Sequence, residues 1–337
     1  MNYQGFKIIG GGIYGCHIAR WLIDRGFSAH IYEREASLMS MASGNNQFRL
    51  HLGFHYARNS VTRRQSKIGF EFFMSQYSEF TLDSPLNLYV VPRDSSFIDY
   101  PTYISIFQNE SFEFDEMDPQ QFRQLRDIEG VIRVKERVID VDKIRRYFTE
   151  ELKSSFSLNT RIDEPTVKKW KEDGFFVIDC TWGARQAVSD YFYEVTHLVY
   201  VETKEKWHPA ITLVDGPLWS LYPTATQGLF TLSHVSHTPL KVFDKYEDAI
   251  VFKDNLSQEY LRINFDKMID KVLRVYPGFS EIFRPVGNQI SIKRKPHGLS
   301  DPRDCRLESF QDEIRVQSGK IDTMYVLENY LENNVLW

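Results

Sequence analysis

A strand-like run, Phe6-Lys7-Ile8-Ile9, passes without a spacer into Gly10-Gly11-Gly12-Ile13-Tyr14-Gly15, and this junction constrains how the chain begins to fold. Gly10 permits a tight turn off the strand, Gly12 lets backbone approach a diphosphate, and Gly15 lets the following helix lie close on the strand. The helix is legible from Ile18, Ala19, Leu22 and Ile23 on one face, with Gly26 after Arg25 as its stop. A second strand, Ser28-Ala29-His30-Ile31-Tyr32, ends at Glu33, at the offset of about 20 residues where a carboxylate grips ribose hydroxyls. Together these segments predict a βαβ dinucleotide-binding unit. The same glycines without that context would mark only a turn.

Composition narrows the partners. At 337 residues, 42% hydrophobic and 26% charged, the chain has enough apolar material for two domains and a sizeable core. A net charge of −5 and a pI near 6.0 argue against nucleic acid as the main partner. No stretch approaches the roughly 18 apolar residues of a membrane span. The first strand begins too early for a leader, so a cytoplasmic location is expected. Cys16, Cys180 and Cys305 are odd in number and widely spaced, which predicts reduced thiols and neither a disulfide framework nor a zinc site. The expected partner is a small-molecule substrate.

Beyond the opening unit, Ala36 to Arg58 is rich in Ser, Gly, Asn and His with poor periodicity and reads as an extended functional loop with one short helix. Ser60 is read as the cap of the next helix, with Val61, Ile68 and Phe72 on one side and Arg63, Arg64 and Lys67 solvated on another. Leu86 to Val91 predicts a strand, Asp118 to Leu125 a short polar helix, and Asp140 to Leu152 a clearer helix through Ile144, Phe148 and Leu152. Phe175 to Ile178 is a short buried strand. From Glu194 to Ser233 the pattern predicts an antiparallel sheet, followed by a helix over Tyr260 to Tyr276, a strand over Glu313 to Val316 and a final helix.

Ala42-Ser43-Gly44-Asn45-Asn46-Gln47-Phe48-Arg49-Leu50-His51-Leu52-Gly53-Phe54-His55-Tyr56, joined to the glycine unit, resembles the D-amino acid oxidase / glycerol-3-phosphate dehydrogenase superfamily of FAD-dependent oxidoreductases. Val177-Ile178-Asp179-Cys180-Thr181-Trp182-Gly183 is similar to that superfamily's second strand-and-turn, and Ser318-Gly319-Lys320-Ile321-Asp322-Thr323 to its carboxy-terminal Gly-Lys-x-x-Thr turn. Asp215-Gly216-Pro217 and the segment from His234 to Pro239 look like a smaller subgroup associated with sugar or secondary metabolites. The resemblance implies an α/β fold: a Rossmann-like FAD-binding domain (1–80, 135–190 and 285–337) with an interleaved, mainly antiparallel-β (α+β) substrate domain (81–134 and 191–284). Two departures stand out. Trp182 occupies a position that often holds Gly, and between Leu158 and Phe175 the chain is too short for the superfamily's full β-meander.

The implied cofactor is non-covalent FAD, because the surroundings of Cys305 do not match covalently flavinylated relatives. Its expected contacts are Gly10, Gly12, Ile13, Tyr14 and Gly15, then Glu33 and Arg34, then Ser43, Gly44, Asn45 and Asn46. Thr181, Trp182 and Gly183 and the turn Gly319, Lys320, Ile321, Asp322 and Thr323 complete the set. Lys320 and the adjoining helix N-terminus would bring positive potential to the ring, although Asp322 or Thr323 serves equally as a simple helix cap. Arg49 and His51 are the candidate catalytic residues, the arginine as a carboxylate or phosphate clamp and the histidine as a proton acceptor. His55, Tyr56 and Arg294 are candidate substrate contacts, and Arg58 is read as structural. His234 and His237 lack the further ligands a metal needs. The expected activity is hydride transfer from a CH–NH or CH–OH bond of a small polar metabolite to flavin. An NAD(P)-dependent dehydrogenase and a non-redox flavoprotein such as a sugar mutase remain the alternatives.

Overall fold

The computed structural model describes residues 3–84, 86–185, 191–205, 207–297, 305–318 and 320–336. Its first sheet has six strands in the order Arg306–Phe310, Glu313–Gln317, Phe176–Asp179, Phe6–Ile9, Ala29–Tyr32 and Phe156–Ser157, parallel except for the hairpin at the Arg306 edge. The register explains why short apolar runs suffice. Ile8 lies opposite both Ile31 and Ile178, and Ile178 opposite Ile314, so four fully buried isoleucines form one row across the sheet. Each contributes about 1.5–3 kcal/mol of burial. The helix Ile13–Asp24 covers this sheet through Cys16, Ile18, Ala19 and Leu22, while Ile23 turns partly outward.

The second sheet runs Pro239–Phe243, Tyr191–Thr203, Leu229–His234, Trp219–Pro223, Ala210–Leu213, Asn87–Pro92, Ile128–Val134 and Asp115–Met117, with Phe283–Pro296 also paired along Tyr191–Thr203. The sheet is mainly antiparallel, as expected, with Ala210–Leu213 pairing in parallel with Asn87–Val90. The long strand Phe283–Pro296 extends it to residue 296. A third, small sheet joins Arg49–Leu50, Arg137–Ile139 and Thr81–Asp83, and it brings the loop after Glu33 against the second sheet.

The helix Ser60–Tyr77 is inverted relative to its sequence reading. Asn59, not Ser60, caps it, accepting from the Thr62 amide at 3.0 Å. Val61 and Ile68 are exposed, and the buried face is Thr62, Arg63, Ser66, Gly69, Phe73 and Tyr77. The small residues permit close approach: a Cβ on Gly69 would stand 2.4 Å from the carbonyl oxygen of Asp322. Arg63 is not solvated but pairs with Glu110 and donates to the carbonyls of Tyr56 and Ala57. Asp118–Leu125 contains only a 3-10 turn, Pro119–Phe122, and Ala36–Arg58 holds bends and the strand Arg49–Leu50 but no helix. Helix Glu164–Glu172 fills the stretch too short for a β-meander.

Candidate active site

The glycine turn is built as its residue types require. Gly10 has φ of +100°, and a Cβ there would press on the Cys180 carbonyl at 2.9 Å. A Cβ on Gly15 would stand 1.9 Å from the carbonyl oxygen of Gly10, so only glycine lets the helix start this close to the strand. Gly12 occupies the helix N-cap with no side-chain cap, and the Ser43 hydroxyl accepts from the Ile13 amide at 3.0 Å. Glu33 is buried, accepting from the Gly11 amide at 2.6 Å and the Glu35 amide at 2.9 Å. Its carboxylate therefore shapes the turn itself. Arg34 bonds Tyr246 and Glu35.

The Ser-rich loop folds on its own carbonyls. Asn45 donates to Ser40 and Met41, Asn46 to Ala42 and Ser43, and a Cβ on Gly44 would meet the Met39 carbonyl oxygen at 2.2 Å. At the second strand-and-turn, the Asp179 carboxylate accepts from the Thr181 amide and hydroxyl and from Arg185. Trp182 has φ of +55° and Gly183 +73°. The tryptophan thus keeps the left-handed backbone that a glycine would favour.

At the carboxy-terminal turn, Tyr14 binds the Ser318 hydroxyl at 2.7 Å, the Thr323 hydroxyl at 2.6 Å and the Lys320 carbonyl at 3.2 Å, so the first helix clamps this turn. The Lys320 side chain is 4% exposed, hydrogen-bonds Ser66, lies 4.1 Å from the Tyr56 ring centroid and 3.9 Å from Asp322. Burial pushes the Asp322 carboxyl up despite that lysine. Gly319 lies outside the described residues.

These parts surround a cavity of about 680 Å3 between the first two sheets. Gly12, Ile13, Tyr14, Ser43 and Asn46 line one end. Arg49, His51, His55 and Tyr56 line another wall, and Trp182, Lys320, Ile321 and Asp322 also reach the cavity. Gly10, Gly15, Glu33, Gly44 and Asn45 lie behind this surface, as do Thr181, Gly183 and Thr323. Arg294, expected as a substrate contact, does not line this cavity: it is buried over the Tyr191 ring, bonded to Gln317 and packed against Gly183. His234 lines the cavity beside His237, and no metal-ligand cluster occurs among the described residues.

Arg49 is 4% exposed, stacked 3.8 Å from the Tyr222 ring centroid and donating to Tyr89 and Ser220 at 3.2 and 2.8 Å. Beneath it is Glu136, which sequence reasoning missed. Its carboxylate accepts from the Leu52 amide at 2.8 Å and the Tyr89 hydroxyl at 2.9 Å, with Arg49 at 3.9 Å and His51 Nδ1 at 3.6 Å. Burial alone would raise this carboxyl, but His51, Arg49 and the Leu52 amide outweigh it and hold it down to about 2. Burial lowers His51 to about 4, with Glu136 opposing and Lys320 and Arg49 adding repulsion; His55 falls to about 3 by burial and the neighbouring His51. Both imidazoles are therefore neutral near neutral pH.

No family model matches the chain. FAD-dependent monooxygenase FPY4 of Fusarium mangiferae is 40% identical over 333 residues, covering 96% of this chain and 89% of that protein. Among solved structures, glycine oxidase from Geobacillus kaustophilus superposes with a TM-score of 0.72 at 10% identity over 98% of this chain and 94% of that one. The amino acid oxidase NikD gives 0.71 at 12% identity over 99% and 95%. The chain belongs to the family of FAD-dependent redox enzymes that includes FPY4, and it shares the fold of glycine oxidase and NikD. A more distant relative of this flavoenzyme, FAD-dependent monooxygenase kojA of Aspergillus flavus, is 24% identical over 353 residues, 94% of this chain and 82% of that protein. The flavoenzyme's cofactor is FAD, which removes the nicotinamide alternative, and the redox relatives remove the non-redox one. The glycine cradle at the helix start fits a diphosphate, and the described residues include no helix long and apolar enough to cross a membrane.

Proposed function

We propose that this flavoenzyme oxidises a CH–NH or CH–OH bond of a small polar metabolite, such as an amine, an amino acid-like compound or a sugar derivative. When bound, FAD supplies the acceptor for the hydride that leaves the substrate carbon. Gly12, Ile13, Ser43 and Asn46 would hold its diphosphate side, with Glu33 shaping the turn from behind them. Tyr14, Trp182 and the turn from Lys320 to Thr323 would hold the ring, Lys320 bringing positive charge to that end. Arg49, fixed by Tyr222, Tyr89 and Ser220, orients an anionic or carbonyl group of the substrate. His51, a neutral imidazole, takes the proton from the substrate O–H or N–H as the C=O or C=N forms. His55 and Tyr56 complete the substrate wall, non-covalent attachment being expected throughout.

The observation that carries this reading is one continuous cavity running from the glycine turn to Arg49, His51 and Lys320. A second reading, insertion of an oxygen atom into the substrate, is favoured by the names of the fungal relatives. Anaerobic mixing with a panel of amino acids, secondary amines and hydroxy acids separates the two. Bleaching of the yellow colour by a metabolite alone supports the proposal. Bleaching that requires NADH or NADPH, with no response to any metabolite alone, supports oxygen insertion.

A further inference from the structure

Glu136 is 2% exposed and absent from the cavity wall, yet its carboxylate touches the two side chains that carry the proposed chemistry. Topology places it there. Arg49 pairs with Val138 and Leu50 with Arg137 in antiparallel register, so continuing the ladder by one residue sets His51 opposite Glu136. Side chains alternate along an extended segment, so Arg49 and His51, two residues apart, present to the same side. One carboxylate serves both. Its Oε1 receives the Leu52 amide and stands 3.6 Å from His51 Nδ1, while its Oε2 receives the Tyr89 hydroxyl at 2.9 Å and faces Arg49 at 3.9 Å.

We infer that Glu136 is a positioning residue: it holds His51 with Nδ1–H turned inward, leaving Nε2 as the cavity-facing proton acceptor, and balances the charge of Arg49. A mere counter-ion for Arg49 would need no contact with the His51–Leu52 segment. His51 Nδ1 is enclosed and makes no hydrogen bond within the described residues, and the group it faces is the Glu136 carboxylate at 3.6 Å. The other groups around the ring cannot substitute for Glu136 in this. His55 and Tyr56 approach it from the following loop at ring-centroid distances of 6.1 and 5.8 Å. Arg49 and Lys320 contribute positive charge, which opposes protonation, and Asp322 is engaged with Lys320. Because a neutral imidazole has one proton for two nitrogens, a carboxylate on the Nδ1 side fixes which nitrogen is basic.

The consequence for turnover rests on the reading of His51 as proton acceptor, but the tautomer does not. Long-range nitrogen–proton NMR of the FAD-loaded protein with 15N-labelled histidine, His51 being assigned by the signal lost in His51→Gln, reads it directly. The expected result is a protonated Nδ1 and an unprotonated Nε2 near neutral pH. Glu136→Gln should lose that preference and titrate His51 at lower pH, and Glu136→Asp should restore both. An Nε2–H tautomer in the parent protein overturns the inference even if the variants fail to fold. So does a Glu136→Gln protein whose His51 tautomer and titration match the parent. A metabolite panel that leaves the enzyme unreduced would count against the proposed reaction and leave this result untouched.

Discussion

The two ends of the cavity are built by different means. The glycine end is made largely of backbone: a tight turn, a glycine at the helix N-cap and close strand-to-helix packing, all within Gly10–Gly15. The opposite wall is made of side chains from separate segments, Arg49, His51, Tyr89, Glu136 and Ser220, held by charge and hydrogen bonds in a buried setting. A backbone cradle tolerates little change in shape and much change in charge. A buried charge cluster shows the reverse, and perturbations should separate the two.

The largest effect is expected at the wall. Glu136→Ala leaves Arg49 without its countercharge and should cost about 3–5 kcal/mol in unfolding free energy. The double variant with Arg49→Met should recover part of that loss in a denaturant-unfolding cycle; strict additivity would show that the pair is not coupled. At the cradle, Gly15→Ala forces a Cβ against the Gly10 carbonyl and should cost about 1–3 kcal/mol together with reduced flavin content, read by thermal unfolding and visible absorbance.

Acid should act on the wall through its two buried histidines. His51 and His55 titrate at about 4 and 3 in the fold, against roughly 6.5 in an unfolded chain. The unfolded state therefore binds more protons below neutrality, and stability should fall as pH drops from about 6.5 towards 4, by up to about 1.4 kcal/mol per pH unit for each histidine. Glu136, held at about 2, adds a loss at lower pH as it finally protonates. Replacing both histidines with Gln should flatten the upper part of this dependence; an unchanged slope would place the proton uptake elsewhere. The smallest effect belongs to Arg58, whose pairing with Asp215 sits at the exposed cavity mouth. Arg58→Ala should change stability by about 0–1 kcal/mol, and a larger loss by the same assay would make the mouth part of the structural core.

The same division explains what the sequence discloses. The cradle is contiguous, and each glycine has a steric reason visible in order along the chain, so it could be read directly. Arg49 and His51 were legible as a dense polar cluster, but Glu136 lies far off in sequence, next to charged neighbours that resemble a solvated turn, and only strand register joins it to them. The helix Ser60–Tyr77 misled for a related reason. Its apolar residues Val61 and Ile68 face outward because Gly69, Ser66 and Thr62 allow the backbone to dock closely, and Arg63 is buried by a specific partner, Glu110. The stripe of small residues at helical spacing was the available signal. Arg294 lies on a strand of the second sheet, where alternation turns it towards Gly183 and Gln317, a placement its local sequence does not disclose.

The cradle is proposed to hold the cofactor and the charged wall to serve the substrate. FAD content per folded chain after gel filtration, compared between Gly12→Val and His51→Gln, tests this most directly. Gly12→Val should emerge folded and largely colourless, and His51→Gln should keep the parental flavin content. A yellow, fully loaded Gly12→Val protein, or a folded His51→Gln protein emptied of flavin, would contradict it.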